Sequence, residues 1–164
     1  MYAYTEYDRH ALRLRSAQFR DQLQRHLKGE LGGDEFKPLL LQNGWYIQRY
    51  APMLRVAVPY GEIRSDQLRV LARIAREFDQ PAPELLRQAQ SKQDAIDPSR
   101  ASPVLVHGVG HFTTRQNVQF NWIPLERSAD VMDLLASVDM HGIQTSGNCI
   151  RNITTDALAG IAPD

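Results

Sequence analysis

Residues 113–121, TTRQNVQFN, are rich in side chains that form directed hydrogen bonds. The run carries hydroxyls, amides and one guanidinium, Arg115, but neither Lys nor Glu, which commonly occupy strands that face water. Groups of this kind bind carboxylates and small oxyanions. Composition alone leaves two interpretations equally open, an ordinary polar sheet face or a face that binds an anion.

Two more arginines stand where they can join this run. Arg55 points outward from a predicted strand, and Arg151 follows a glycine-containing turn at 146–148 whose backbone N–H groups can also face an anion. Three guanidinium groups on one surface repel one another unless negative charge lies between them. The spacing therefore predicts that Arg55, Arg115 and Arg151 converge on one anionic ligand.

Other reactive residues give weaker signals. His107 and His111 are four residues apart, which suits a metal pair only on a helix, and the Gly-Val-Gly between them opposes a helix. Cys149 has no recognisable partner base, so a small, partly buried thiol is expected rather than a nucleophile. The sequence contains neither a P-loop nor a dinucleotide-binding fingerprint. We therefore expect no metal site in this chain.

A long helix comes first among the elements that must position these side chains. Residues 6–28 contain no Gly or Pro and have apolar side chains at helical spacing, at Leu12, Phe19, Leu23 and Leu27. Its other faces carry basic side chains at Arg9, Arg13, Arg15, Arg20, Arg25 and Lys28. These are interpreted as a solvated face, with a surface for an acidic partner as the alternative.

The remaining pattern predicts an α+β fold. Residues 53–58 alternate as a strand with Leu54, Val56 and Val58 inward, and Ser65 is expected to cap a helix that runs to Asp79. The inward positions of that helix are 68, 71, 74, 75 and 78. Extended runs at 111–116 and 118–123 precede a helix from Ser128 and a closing strand at 142–145. This order predicts a ferredoxin-like (split βαβ) antiparallel sheet with two helices on one face.

The chain divides into three predicted parts. Residues 1–50 form the long helix and an extended arm, with a turn at Asn43-Gly44, and residues 51–144 form the ferredoxin-like half domain. Residues 80–106 contain four prolines and predict an inserted surface loop with one short helix at 84–90. Residues 145–164 would begin a further domain.

Composition excludes several classes of protein. The 164 residues are 43% hydrophobic and 23% charged, which is typical of a globular chain. Nineteen basic residues match 19 acidic ones, so bulk charge gives no reason to expect nucleic acid as a partner. One cysteine excludes an intrachain disulfide, and no apolar run approaches a membrane span. A soluble, cytoplasmic protein is expected, with no secretory signal at its N-terminus.

Several longer motifs resemble a known enzyme family. They are YTEYD at 4–8, QFRD at 18–21, MLRVAVPYG at 53–61, GHFTTRQNVQF at 110–120 and QTSGNCIRNITTD at 144–156. Together they resemble the N-terminal part of the siroheme-dependent nitrite and sulfite reductases, within the assimilatory sulfite reductase hemoprotein branch. The resemblance implies the start of a siroheme-binding domain at the C-terminal end of this chain.

The resemblance also implies a function for the site residues. The family performs the six-electron reduction of sulfite to sulfide or nitrite to ammonia, using siroheme and a 4Fe–4S cluster. It assigns siroheme contacts to polar residues of the two long motifs, namely Thr113, Thr114, Arg115, Gln116, Asn117, Gln119, Asn148 and Asn152. Arg55 and Arg151 match arginines that bind the oxyanion. Ferredoxin or a flavoprotein reductase would supply the electrons.

Two departures from the family pattern give further expectations. A single cysteine cannot hold a 4Fe–4S cluster, so the chain is expected to be an N-terminal segment that is inactive without the remainder of its polypeptide. The 80–106 insertion occurs where the family usually passes directly from helix to strand. The alternative function is a stand-alone ferredoxin-like module that binds an anion or polycarboxylate without redox activity. RNA binding is disfavoured because the predicted open face lacks a pair of aromatic residues.

Overall fold

The computed structural model describes residues 3–48, 52–96, 107–147 and 149–161, with side chains described throughout these ranges except at 92–96. The helices within them are α1 Glu6–Leu27, α2 Gly33–Gln42, α3 Ser65–Glu77, α4 Pro83–Ile96 and α5 Ser128–Ala136. The strands are β1 Trp45–Ile47, β2 Pro52–Ala57, β3 His111–Phe112 and β4 Asn117–Phe120. No helix in these ranges has the length and apolar character needed to cross a membrane.

The strands form one antiparallel sheet in the order β1-β2-β4-β3. Leu54 of β2 lies between Trp45 of β1 and Phe120 of β4, and all three side chains are fully buried. Inward residues of β2 and β4 share one hydrophobic core with residues of α1, α2, α3 and α5. Burial of this shared apolar surface stabilises the sheet and its helical layer together. The structure thus confirms an α+β, ferredoxin-like fold preceded by a long N-terminal helix.

Helix α1 begins at a capping box. The Asp8 amide donates to the Thr5 hydroxyl at 3.2 Å, and the Asp8 carboxylate accepts the Thr5 amide at 2.8 Å. Three of the four predicted inward residues are buried, namely Leu12, Phe19 and Leu23. The prediction for Leu27 is wrong, since it is 50% exposed. The ring of His26 covers Phe36 of α2 instead, with 4.3 Å between the ring centroids.

The segment expected to be an extended arm contains α2 and β1. Helix α2 was not predicted because it contains Pro38 and begins at glycines, and both residue types disfavour a helix. The predicted turn at Asn43-Gly44 is present, and Gly44 has a φ of 84° that suits glycine.

The predicted closing strand at 142–145 is not formed. The His141 carbonyl accepts the Ala57 amide at 2.8 Å, but Gln144 has a φ of 69° and the chain turns away from the sheet. The extended run predicted at 111–116 is likewise shorter, because residues 113–116 form the turn between β3 and β4.

Helix α3 differs from its prediction at its first turn. Arg64, not Ser65, is the N-cap residue, and Gln67 is buried because its side chain accepts the Arg64 amide and donates to the Val138 carbonyl. Leu68, expected inward, is therefore 52% exposed. The predicted helix at 84–90 is present within the longer α4, and residues 97–106 of the insertion lie outside the described residues.

Candidate functional site

Arg55 is positioned by the two central strands. It lies opposite Gln119 in the β2–β4 register, and its Nε donates to the Gln119 Oε1 at 3.0 Å. Gln119 in turn donates from Nε2 to the Asn121 Oδ1 at 2.9 Å. The Arg55 guanidinium carbon lies 5.3 Å from the ring centroid of Tyr46 on β1, within cation–π range.

Arg151 reaches the same place from the C-terminal segment. Its guanidinium donates to the Thr145 carbonyl at 2.5 Å. Both arginines lie close to the Tyr46 phenol, because both contribute to its pKa. Burial raises the pKa of Tyr46, but the Ser146 hydroxyl and the positive charges of Arg55 and Arg151 outweigh burial and leave the pKa below its usual value.

The two cations at Tyr46 lack a counter-ion in the described part of the chain. Among the described residues, neither Arg55 nor Arg151 forms an ion pair with a carboxylate. Ser146 is a buried neighbour of the Tyr46 phenol and helps to lower its pKa by hydrogen bonding. Two guanidinium groups that lie together without a carboxylate among the described residues suit a bound anion.

Asn152 holds the C-terminal segment against the sheet. Its Nδ2 is within 3.3 Å of three oxygens, the Val58 carbonyl, the Gln116 carbonyl and the Asn117 Oδ1. The backbone N–H of Asn152 also donates to the Gln144 carbonyl at 3.1 Å. Because one amide group has only two protons, this contact set already saturates it. In the described structure Asn152 braces the segment that carries Arg151.

Gln116 holds the same C-terminal segment at a second point, Thr155. Its Nε2 donates to the Thr155 carbonyl at 2.8 Å, and its Oε1 accepts the Thr155 amide at 3.1 Å. The backbone at Gln116 has a φ of 53°, an uncommon conformation for a residue other than glycine. This pair of bonds fixes the tail beside the hairpin turn.

The side chains of the hairpin turn between β3 and β4 form few hydrogen bonds with the rest of the described chain. The Thr113 hydroxyl accepts the Asn117 amide at 3.2 Å, whereas Thr114 and Arg115 are exposed. Arg115 makes no hydrogen bond or ion pair in the part of the chain that the structure describes. No contact there joins Arg115 to Arg55 or Arg151, so the structure brings together two of the three predicted arginines. Asn148 lies outside the described residues.

Two residues at this site carry no signal in the sequence. Tyr46 reads as part of an apolar run, and Ser146 reads as a turn residue. Cys149 is exposed, contrary to the expected partial burial, and its Sγ lies 3.1 Å from the Ser146 carbonyl. The described residues contain no group of three or more side chains that could hold a metal ion.

The basic face of α1 is largely paired. Arg9 binds Glu6 and Asp139, and Arg20 binds Asp130 and Asp133. Arg15 donates to the side chains of Asn43, Gln18 and Gln42. These contacts favour the interpretation of this face as an internally balanced surface.

A family model matches the central part of this fold. Residues 47–82 and 106–138 match the nitrite/sulfite reductase ferredoxin-like half domain, which covers β2, α3, β4 and α5. These two stretches of the chain are thus similar to a nitrite/sulfite reductase ferredoxin-like half domain. The match omits residues 83–105, and so it skips most of the insertion predicted from the sequence.

Two curated relatives agree with this family. The chain is 29% identical over 108 residues to an assimilatory ferredoxin-dependent nitrite reductase of Haloferax mediterranei, and 28% identical over 112 residues to a ferredoxin–nitrite reductase of Leptolyngbya laminosa. These alignments cover 66% and 68% of this chain but 16% and 17% of the relatives. The half-domain chain thus matches about a sixth of each relative's length.

A solved structure supports the fold. The chain superposes on the Mycobacterium tuberculosis NirA protein with a TM-score of 0.58 and 18% sequence identity. The superposition covers 89% of this chain and 28% of the NirA chain. At this identity the likeness concerns the fold.

Proposed function

We propose that this chain supplies the oxyanion-binding arginines and part of the siroheme pocket of a nitrite or sulfite reductase. One observation carries the proposal: Arg55 and Arg151 meet at Tyr46 without a carboxylate partner among the described residues. The names of both curated relatives favour nitrite as substrate and ferredoxin as electron donor over sulfite and a flavoprotein. The activity would belong to a complete enzyme of which this chain is one part.

The two guanidinium groups would act on the oxyanion. A guanidinium group is positively charged, and each can donate more than one hydrogen bond to nitrite or sulfite oxygens. Their neighbours are neutral: the Gln119 oxygen accepts from Arg55, and the Thr145 carbonyl accepts from Arg151. Because these contacts fix the arginines without neutralising them, their positive charge is available to stabilise an anion as oxygen is lost.

The donor set also fits a carboxylate-rich macrocycle. Thr114 and Arg115 are exposed on the hairpin turn, and Gln119 is half-buried beside Arg55. We propose that Thr113, Thr114, Arg115, Gln119 and Asn148 contact siroheme, and that Gln116, Asn117 and Asn152 hold the pocket wall. When bound, siroheme would supply the iron that carries the substrate and receives electrons.

Ligands for a 4Fe–4S cluster would have to come from outside this sequence. A cluster needs four thiolates, whereas the sequence has one cysteine. The proposal therefore keeps the three-part division, with residues 1–50 as a support, 51–144 as the half domain and 145–164 as the start of the cofactor domain.

Siroheme and anion titration of the chain tests this proposal. The double variant Arg55→Gln/Arg151→Gln is compared with Arg69→Gln, which removes an exposed arginine of α3. A lost charged hydrogen bond costs about 1.5–3 kcal/mol, so we expect the double variant to bind nitrite or siroheme at least tenfold more weakly, by calorimetry and heme absorbance. The control should bind like the wild type.

Two results would contradict it. Equal affinity of the double variant and the wild type would remove the arginines from the site. Binding of simple carboxylates or oxyanions by a wild-type chain that does not bind siroheme would favour the alternative, a ferredoxin-like binding module without redox activity.

A further inference from the structure

Thr145 contacts the segments of both arginines at once. Its side chain is 1% exposed, and its hydroxyl lies 3.1 Å from the Arg55 carbonyl and 2.5 Å from the Gly142 carbonyl. Its own carbonyl accepts the Arg151 guanidinium at 2.5 Å. One buried residue therefore links the backbone of β2 at Arg55 to the side chain of Arg151.

Two glycines allow this close approach. A Cβ at Gly142 would collide with the Asn43 carbonyl and lie 2.9 Å from the Arg55 carbonyl oxygen. A Cβ at Gly44 would lie 2.5 Å from the same Arg55 oxygen, and the Gly44 carbonyl accepts the Arg55 amide at 2.9 Å. The backbone of Arg55 is thus held from two sides, and Thr145 is the side chain that completes the contact.

The hydroxyl of Thr145 forms the side-chain contact with the backbone of β2. It is the polar group that reaches the Arg55 carbonyl, and its single proton is shared between two acceptors. Valine has the same shape but no donor, so it would leave buried carbonyls without this partner. The turn at 142–146 would then lose its attachment to β2, and with it the carbonyl that orients Arg151.

We propose that Thr145 is a positioning residue that sets the separation of Arg55 and Arg151, through its hydroxyl on one and its carbonyl on the other. The inference rests on the proposed oxyanion site and identifies the residue that fixes the distance between its two cations. It assigns Thr145 no contact with substrate or cofactor.

Tyr46 provides a readout that needs no ligand. Its phenol lies beside both guanidinium groups, which help to lower its pKa. If either guanidinium moves away, the pKa of Tyr46 rises, because a positive charge that favours the phenolate is lost and burial of the phenol remains. The titration of Tyr46 therefore reports the positions of the arginines independently of activity.

The experiment compares Thr145→Val, Thr145→Ser and Thr145→Ala in the whole chain, with Thr154→Val as a control at an exposed threonine. Tyrosines labelled with carbon-13 at Cζ are titrated by NMR, and Tyr46→Phe assigns the signal. We expect the valine and alanine variants to raise the pKa of Tyr46 and to weaken nitrite or siroheme binding about tenfold. The serine and control variants should match the wild type, and circular dichroism should show the same fold throughout.

Two outcomes would overturn the inference. One is a folded valine or alanine variant with an unchanged Tyr46 titration and unchanged affinity. The other is a serine variant that shifts the titration as much as valine does, since serine keeps the hydroxyl. Should valine fail to fold, the alanine and serine pair decides. A wild-type chain that binds neither nitrite nor siroheme would refute the proposed site, whereas the Tyr46 comparison would still decide the role of Thr145.

Discussion

The polar residues of this chain divide into those that bind each other and those that remain available. The side-chain amides of Asn152 and Gln116 form hydrogen bonds with backbone atoms, including those of the C-terminal segment and the hairpin turn. Arg55 and Arg151, in contrast, are fixed by neutral acceptors and keep their charge available. A residue type alone does not distinguish these roles, because an amide that braces a loop and one that binds a ligand have the same chemistry.

His141 gives a pH-dependent prediction at this scale. Its Nε2 lies 3.2 Å from the Tyr4 hydroxyl, and burial lowers its pKa, with the Ile143 backbone opposing this in part. Below about pH 6.5 the unfolded chain takes up a proton that the folded chain resists, so the free energy of unfolding should fall as the pH drops. In His141→Gln this decline should be shallower.

Urea unfolding between pH 5.5 and 7.5 measures the effect. His10→Gln, at an exposed position of α1, is the control and should keep the wild-type decline. A His141→Gln variant with the same pH dependence as the wild type would show that His141 is not responsible.

At the scale of elements, Asp79 joins three parts of the fold. It is 1% exposed, and its carboxylate accepts the amides of Val109, Asn121 and Trp122 at 3.2, 3.0 and 2.8 Å. Its carbonyl accepts the Gly108 amide at 2.8 Å. The end of α3 is thereby tied to the segments before β3 and after β4. The sequence indicated only that a helix ends here.

Removing this carboxylate should destabilise the domain strongly. Asp79→Ala leaves three backbone amides without their acceptor, and each unsatisfied buried group costs about 1–3 kcal/mol. We expect a loss of about 3 kcal/mol or more in the free energy of unfolding, measured with urea. Asp21→Ala, at an exposed position of α1, should change it by about 0.5 kcal/mol or less. Similar values for the two variants would contradict the role of Asp79.

For the whole molecule, the insertion is closed at its base. The His107 Nδ1 lies 3.0 Å from the Gln80 Oε1, and the Gln80 Nε2 donates to the Arg76 carbonyl at 3.2 Å. The family model omits 83–105, the segment that begins just beyond this contact. We therefore expect the fold of the half domain to depend on the two ends of this segment and not on its interior.

Replacing residues 83–105 with a short Gly-Ser link should therefore leave the half domain folded. Closing a shorter loop costs less entropy, so we expect the melting temperature to stay within a few degrees of the wild type. Circular dichroism should lose the signal of one helix. The same replacement combined with Asp79→Ala should melt much earlier. Loss of cooperative unfolding in the replacement alone would show that the insertion is part of the core.

Periodicity and turn chemistry in the sequence were enough to predict the ferredoxin-like pattern, the long helix, the inward face of β2 and most of that of α3, because burial imposes regular spacing on apolar residues. The long motifs likewise pointed to the nitrite/sulfite reductases that the comparisons found, whereas the roles they imply for the arginines stay a prediction. They did not reveal α2, the edge strand β1 or the absence of a strand at 142–145, since these depend on contacts between distant segments.

The meeting of Arg55 and Arg151 at Tyr46, the separation of Arg115 from them and the link through Thr145 were decided by the tertiary structure. Each depends on how close two backbones can approach, and glycines at 44 and 142 set that distance only when the chain is folded. A linear pattern records which groups are present, whereas hydrogen bonding between segments far apart in the chain decides which of them share a site.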